Sequence, residues 1–238
     1  MKKKIVDLSI IIPVYNEPTN ILLTLQEIKR HIRIRHEILV IYDFDEDTTI
    51  SVLKKVHKKN LFLIKNTIAK GPSGAIRSGI AHSRGTYVLV TMADLCDDLS
   101  QVPELIRLVS SHAGIVCPSR YMKGGKQQLK SFLKVWAPRT AGFLLKTLTG
   151  IPTYDPTNSY KLYSKKLLNR LTLTSTKSFS VTLEIVVKAH ALGYRIVETP
   201  TVWKDRQYGK TNFKFWRSVV AYFPWFCYAL FRLRPGGQ

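Results

Sequence analysis

Apolar, β-branched runs that alternate with helically spaced segments constrain this chain's fold more than any other feature. Leu8 to Val14, Glu37 to Tyr42, Leu61 to Lys65, the first half of Thr86 to Asp98 (TYVLVTMADLCDD) and Gly114 to Cys117 read as strands. Pro18 to His31, Thr49 to His57, Gly74 to Ser83 and about Pro103 to Ser110 read as the helices between them. Strands alternating with helices predict an α/β fold, a mostly parallel or mixed sheet with helices on both faces. Further along, Asp155 to Lys161 is turn-like, Val181 to Leu192 is helical and Tyr194 to Thr199 is a strand. At 238 residues the chain can bury one large core, in one or two domains.

The ends of these strands carry the chemistry. The central run releases Asp94, Asp97 and Asp98, and the second run ends in Asp43, Asp45, Glu46 and Asp47. In a parallel sheet the ends at Tyr15–Glu17, Asp43–Asp47 and Asp94–Asp98 open on one edge, so acids far apart in sequence converge at a ligand crevice. Hard oxygen ligands there suit Mg²⁺ or Mn²⁺ holding a diphosphate. The plain alternative is that Asp94 and Asp97 cap the helix that begins near Pro103.

Charge narrows the partners. Thirty-seven Lys and Arg against 16 Asp and Glu give a net charge of +21, which implies nucleic acid, an anionic membrane surface or a phosphorylated substrate. Two sections hold the excess. Between Glu104 and Asp155 there is no acid, and Leu129, Phe132, Leu133, Trp136, Phe143 and Leu144 recur at helical spacing beside Lys126, Lys130 and Lys134. That pattern predicts a basic amphipathic helix, broken near Pro138, which either lies at a membrane interface or packs on the core. After Asp205 there is again no acid, and Ser218 to Phe231 (SVVAYFPWFCYALF) is uncharged and aromatic, flanked by arginines. It reads as an interfacial anchor or as a C-terminal helix docked on the domain.

No run reaches the roughly 20 apolar residues that span a bilayer. The basic, apolar start MKKKIVDLSIIIPVYNE is interrupted by Asp7 and lacks a small-residue cleavage site, so it reads as a strand rather than a leader. Cys96, Cys117 and Cys227 lie far apart without metal or redox spacing and read as reduced thiols in a cytosolic setting.

In order along the chain, several motifs resemble the inverting family 2 glycosyltransferases of GT-A fold, and within them the polyprenyl-phosphate (dolichyl-phosphate) mannose synthases. Pro13-Val14-Tyr15-Asn16-Glu17 is similar to the family's opening PxYNE, which holds the nucleotide. Ile41 to Thr49 (IYDFDEDTT) stands where the family has VDDxSxDxT, with Tyr42 in place of the first acid and Asp43 matching the base- and ribose-contacting second. Lys70 to Gly79 (KGPSGAIRSG) resembles the glycine-rich stretch before the metal motif. The family's DxD falls on Met92-Ala93-Asp94, so only its second acid is present. Pro118 to Gly125 (PSRYMKGG) resembles GSRYxxGG, with Arg120 the matching arginine. Lys134 and Arg139 fall near the positions used around the lipid phosphate, with Pro138 where a serine is common. Asp155 to Lys161 resembles DxTSGFR, Phe179 to Glu184 resembles the segment ending in the family's glutamate, and Asp205 to Thr211 (DRQYGKT) resembles DRxxGxS, whose arginine binds phosphate.

The resemblance implies transfer of a hexose, with inversion, from a nucleotide sugar to a polyprenyl phosphate. GDP-mannose is the first expected donor and UDP-glucose the second. It implies donor contacts at Pro13, Tyr15, Glu17, Ile41, Asp43, Lys70 and Asp94, and acceptor-phosphate contacts at Arg120, Lys134, Arg139, Arg206 and Lys210. Asp94, Arg120 and Arg206 are the expected catalytic residues, and Asp94 with Asp97 the expected ligands of Mg²⁺ or Mn²⁺. Residues 1–212 would form the catalytic domain, with a nucleotide-sugar half to about 118 and an acceptor half beyond it, and 213–238 an amphipathic membrane-interface tail. The expected location is the cytoplasmic face of an anionic membrane, with a membrane-anchoring partner and no nucleic acid. A soluble glycan acceptor would instead need a carboxylate base, for which Glu184 and Asp155 are the candidates. A non-catalytic family member and a nucleic-acid-binding module are the other readings; no nucleic-acid motif accompanies the charge.

Overall fold

The computed structural model describes residues 6–128, 132–206 and 215–233, without the side chains of 132–137 and 215. Among them the chain runs β1 (Leu8–Pro13), α1 (Pro18–His31), β2 (His36–Tyr42), α2 (Thr48–Leu53), β3 (Leu61–Lys65), α3 (Pro72–His82), β4 (Tyr87–Val90) and α4 (Val102–Ser110). It continues through β5 (Ile115–Ser119), β6 (Lys126–Gln127), α5 (Phe132–Thr149), β7 (Lys161–Ser164), α6 (Lys165–Leu168), α7 (Ser180–Ala191), β8 (Ile196–Pro200), β9 (Val202–Trp203) and α8 (Phe215–Arg232).

One sheet has the strand order β3-β2-β1-β4-β7-β5-β8, and β6 pairs with β9 in a second, small one. In the large sheet β7 runs antiparallel to both β4 and β5, and the other neighbours are parallel. The expected mixed, mostly parallel α/β sheet is therefore present. Alternate residues of each strand feed opposite cores, as the period-2 geometry of a strand requires. Ile11, Leu39, Ile41, Val88 and Val90 face α3, α7 and α8. Leu8, Ile10, Ile12, Ile38, Val40 and Leu89 face α1 and α4. Each fully buried isoleucine of β1 contributes roughly 1.5–3 kcal/mol, which explains why both faces of that strand are apolar.

Three features differ from the sequence reading. Strand β7, which completes the middle of the sheet, was not expected, because Lys161 begins it. Helix α5 runs through Pro138 without a break. Helix α2 ends at Leu53, short of His57.

The C-terminal helix has two faces. Ser218, Ala221 and Ala229 are buried, and Trp225 packs beside them on the core that α7 shares. Ser218 and Ser178 meet through their hydroxyls at 2.8 Å, and the Trp225 indole N–H donates to Ser175 Oγ at 2.7 Å. Trp216, Val220, Phe223 and Phe231 are exposed. The helix is thus docked and still presents an apolar row outward. Among the described residues no helix is long and apolar enough to cross a membrane.

Candidate active site

Strand order places the ends of β2, β1 and β4 side by side, and β1 sits where the sheet's winding reverses. That switch point is where open α/β sheets bind ligands. The loop after β1 is built for it. Pro13 is buried and hands over to Tyr15, which is 53% exposed and meets Phe44 edge-on, with ring centroids 5.5 Å apart. Asn16 takes a left-handed conformation (φ 54°), which asparagine tolerates better than most residues. Its N–H donates to both oxygens of Asp47 at 3.1 Å, and its Oδ1 accepts from Thr48 N. Asp47 also accepts from Thr49 N at 2.8 Å, so this acid caps α2 and serves structure rather than ligand.

Asp43 holds the neighbouring loop. Its Oδ1 accepts from Asn66 Nδ2 and its Oδ2 from Gly71 N, both at 2.7 Å. Gly71 has φ 99°, a backbone that side chains rarely adopt. At Gly74 a Cβ would lie 1.7 Å from the Ala69 carbonyl oxygen, so the turn into α3 needs glycine there too. Lys70 is exposed beside this turn. Ile41, expected among the donor contacts, is wholly buried in the core, and its carbonyl accepts from Val14 N. It supports the site from beneath.

After β4 the chain turns sharply at Leu95 (φ 62°), letting Cys96 N donate to Asp94 Oδ1 at 3.2 Å. The Lys204 N–H donates to the Cys96 carbonyl at 3.1 Å and ties the segment after β9 to this turn. Arg206 thereby reaches the crevice. Its Nη2 lies 2.5 Å from Glu17 Oε1 and 4.0 Å from Asp94 Oδ2. Arg206, expected at the acceptor phosphate, thus lies instead against Glu17 and Asp94, which were expected on the donor side.

Mg²⁺ and Mn²⁺ ask for several hard oxygen ligands, and the donors around Asp94 fall short of that. Asp97 Oδ2 turns inward and accepts from Thr91 Oγ1 at 2.9 Å and Met92 N at 3.2 Å. Burial, then the charge of Asp94, push its carboxyl up to about 7. Asp98 Oδ1 accepts from Ser100 and caps the turn before α4. Burial and the nearby acids push the Cys96 thiol far up, and its Sγ donates to the Asp94 carbonyl at 3.7 Å. No three His, Cys, Asp or Glu side chains gather as a metal site among the described residues. The expectation of a divalent ion on Asp94 and Asp97 does not fit this donor set.

On the other side of the crevice Arg120 forks onto Asp155. A cavity of about 420 Å³ opens beside it, lined by Arg120, Tyr121, Lys123, Gln127 and Arg139 among others. Among the described residues Tyr121 Oη and Gln127 Oε1 are buried without a protein partner, and buried polar groups of this kind pair with a polar ligand or water. Lys210 and the side chain of Lys134 lie outside the described residues.

Three groups escaped the sequence reading. Asn66 and Gly71 hold Asp43, and Lys161 is buried with its Nζ on the Asp155 and Asn158 carbonyls, steadying the loop that carries Asp155. A lysine within the apolar run YKLY was the only available signal for the last.

Known proteins resemble this chain in sequence and in fold. The family model for glycosyl transferase family 2 matches residues 9–172, more than half of the chain. The dolichol-phosphate mannosyltransferase of Pyrococcus furiosus is 26% identical over 229 residues, 91% of this chain and 64% of its own. The dolichyl-phosphate beta-glucosyltransferase of Dictyostelium discoideum is 26% identical over 217 residues, 83% and 66% of the two chains. For the polyprenol monophosphomannose synthase of Mycolicibacterium smegmatis the values are 26% over 208 residues, 84% and 78%. The chain thus spans a little under two thirds of the first two relatives. Glucosyl-3-phosphoglycerate synthase from Mycobacterium tuberculosis, solved with Mn²⁺, UDP and glucosyl-3-phosphoglycerate, aligns with a TM-score of 0.70 at 15% identity, over 98% of this chain and 82% of that one. That likeness is one of fold. The sheet, the ordered motifs and the family match agree, and the chain belongs to glycosyl transferase family 2.

Proposed function

We propose that this chain moves a hexose from a nucleotide sugar to a polyprenyl or dolichyl phosphate, with inversion at the anomeric carbon. GDP-mannose is the first expected donor and UDP-glucose the second, in keeping with relatives named for mannosyl and glucosyl transfer.

The observation that carries this reading is the state of the two candidate bases. Asp155 is wholly buried and spent on Arg120, and Glu184 is wholly buried and accepts from Thr174 N, Ser175 N and Lys188 Nζ. Neither can take a proton from an acceptor hydroxyl near neutral pH. An acceptor that arrives as a phosphate anion needs no base, so positioning and charge carry the reaction. Arg139, Lys123 and the Tyr121 hydroxyl around the cavity suit that anion. Tyr15 and Phe44 offer flat surfaces to the nucleotide base, and Asp43 orders the loop against which it lies.

The lipid tail gives the apolar rows a use. Trp216, Val220 and Phe223 on α8, and Phe143, Leu144 and Leu148 on α5, are exposed on helices that pack together. With Arg217 and Arg232 flanking the α8 row, they would lie on the anionic cytoplasmic face of a membrane as a peripheral surface.

The test is to incubate the chain with a panel of nucleotide sugars and either polyprenyl phosphate, polyprenol or soluble sugars, with and without Mn²⁺, and to weigh the products. A glycosylated polyprenyl phosphate, absent with polyprenol, is expected. A product on a neutral hydroxyl acceptor overturns the reading.

A further inference from the structure

Resting on that transfer reading, we propose that Arg206 takes the charge-neutralising place a divalent ion would hold at Asp94, so that the nucleoside diphosphate leaves without a metal.

The chemistry sets the demand. The bond from the anomeric carbon to the β-phosphate oxygen breaks, and its electron pair stays on the departing diphosphate. A new bond forms from that carbon to an oxygen of the acceptor phosphate. No proton moves, because the acceptor is already ionised. The charge gathering on the leaving group needs a cation at the ends of β1 and β4. A guanidinium is always charged, and its planar fork matches phosphate oxygens two at a time.

Arg206 is that cation. Its side chain is 20% exposed, reaches Glu17 at 2.5 Å and stands 4.0 Å from Asp94. The backbone bond from Lys204 to Cys96 carries it into the crevice. Like charge repels a second cation from the same spot. Met92, a soft thioether, stands in the sequence where the resembled motif has its first acid, and Asp97 has one oxygen bound to Thr91 Oγ1 and Met92 N. Glu17 and Asp94 are then positioning residues. They hold the guanidinium until the diphosphate replaces Glu17 as its partner.

Two measurements on the full chain separate this idea from the reading beneath it. In the first, electron paramagnetic resonance follows free Mn²⁺ with GDP or UDP, with and without protein. The expected result is no uptake beyond that of the nucleotide alone; additional uptake by the wild-type chain overturns the proposal. In the second, transfer to polyprenyl phosphate is timed after chelation. The rate is expected within about twofold of that with Mn²⁺, while Arg206→Ala loses about 10²–10³-fold, the usual loss for one charge-stabilising donor, and Arg206→Lys recovers part of it. Stimulation by Mn²⁺ of more than about tenfold, or an Arg206→Ala variant as fast as wild type, overturns the proposal. If no glycolipid forms under any condition the transfer reading fails, and the Mn²⁺ spectra still decide the question of the metal.

Discussion

Arg120 and Asp155 clasp each other beside the crevice, Nε to Oδ2 at 2.7 Å and Nη2 to Oδ1 at 2.8 Å, and the Arg120 backbone N–H adds a third bond to Oδ2 at 3.0 Å. The carboxylate is wholly buried. It joins the loop after β5 to the loop before β7, and so fixes Arg120, which lines the cavity, as well as balancing its charge.

Removing one partner of such a pair strands a buried charge. Asp155→Ala should therefore cost about 3–5 kcal/mol of stability in urea unfolding, and a loss below about 1 kcal/mol would contradict the account. Burial alone would raise the Asp155 carboxyl, but the charge and hydrogen bonds of Arg120 hold it below its ordinary 3.8. Its contribution is present above that ordinary value and is lost as pH falls through the lower folded one.

Asp97 behaves in the opposite sense. Its carboxyl is raised from 3.8 to about 7, so between those values the folded chain holds a proton that the unfolded chain has released. Stability from this group declines as pH rises through that window. Asp97→Asn keeps an oxygen for Thr91 and Met92 N and removes the titration. Melting temperatures from pH 4 to 8 should fall less steeply for the variant, which should match or exceed wild type at pH 8. A variant with the wild-type slope refutes this.

Glu184 is a structural acid. Burial would raise it, but Lys188 and the Ser175 and Thr174 backbone bonds hold it below its usual value. Glu184→Gln should lower stability by about 1–3 kcal/mol through weakened buried bonds. Transfer to lipid phosphate, measured well below the melting point, should stay within about tenfold of wild type, whereas losing a general base typically costs about 10²–10⁴-fold. A loss of that size restores the soluble-acceptor reading.

The two faces of α8 should separate in experiment. Replacing Trp216, Phe223 and Phe231 together by serine should release the chain from anionic vesicles in sedimentation, with little change in melting. Trp225→Ala should instead lower stability by about 2–4 kcal/mol, since that ring packs on the core and bonds Ser175. Unchanged sedimentation of the triple variant counts against a membrane surface.

Much of the fold was legible. β1, β2 and β4 are apolar on both faces because helices cover both, and that leaves an unbroken run in the chain. β7 was hidden because Lys161 occupies a buried strand position, tolerable only because the Asp155 and Asn158 carbonyls receive its ammonium. Pro138 reads as a helix breaker locally, yet α5 passes through it. The acids at the strand ends were visible, but their tasks were not: Asp43, Asp47, Asp97 and Asp98 all spend oxygens on nearby N–H or O–H groups.

The chain's periodicity and ordered motifs determined the layered sheet, the edge on which the acids open, and the family. Only the tertiary structure decided that Arg206 meets Glu17, 189 residues away, and that Asp155 and Glu184 are bound into ion pairs. Periodicity is a local property, legible within a few turns or strand residues. Which charges neutralise one another depends on strand order and on the paths of distant loops, and that is settled only when the whole core packs.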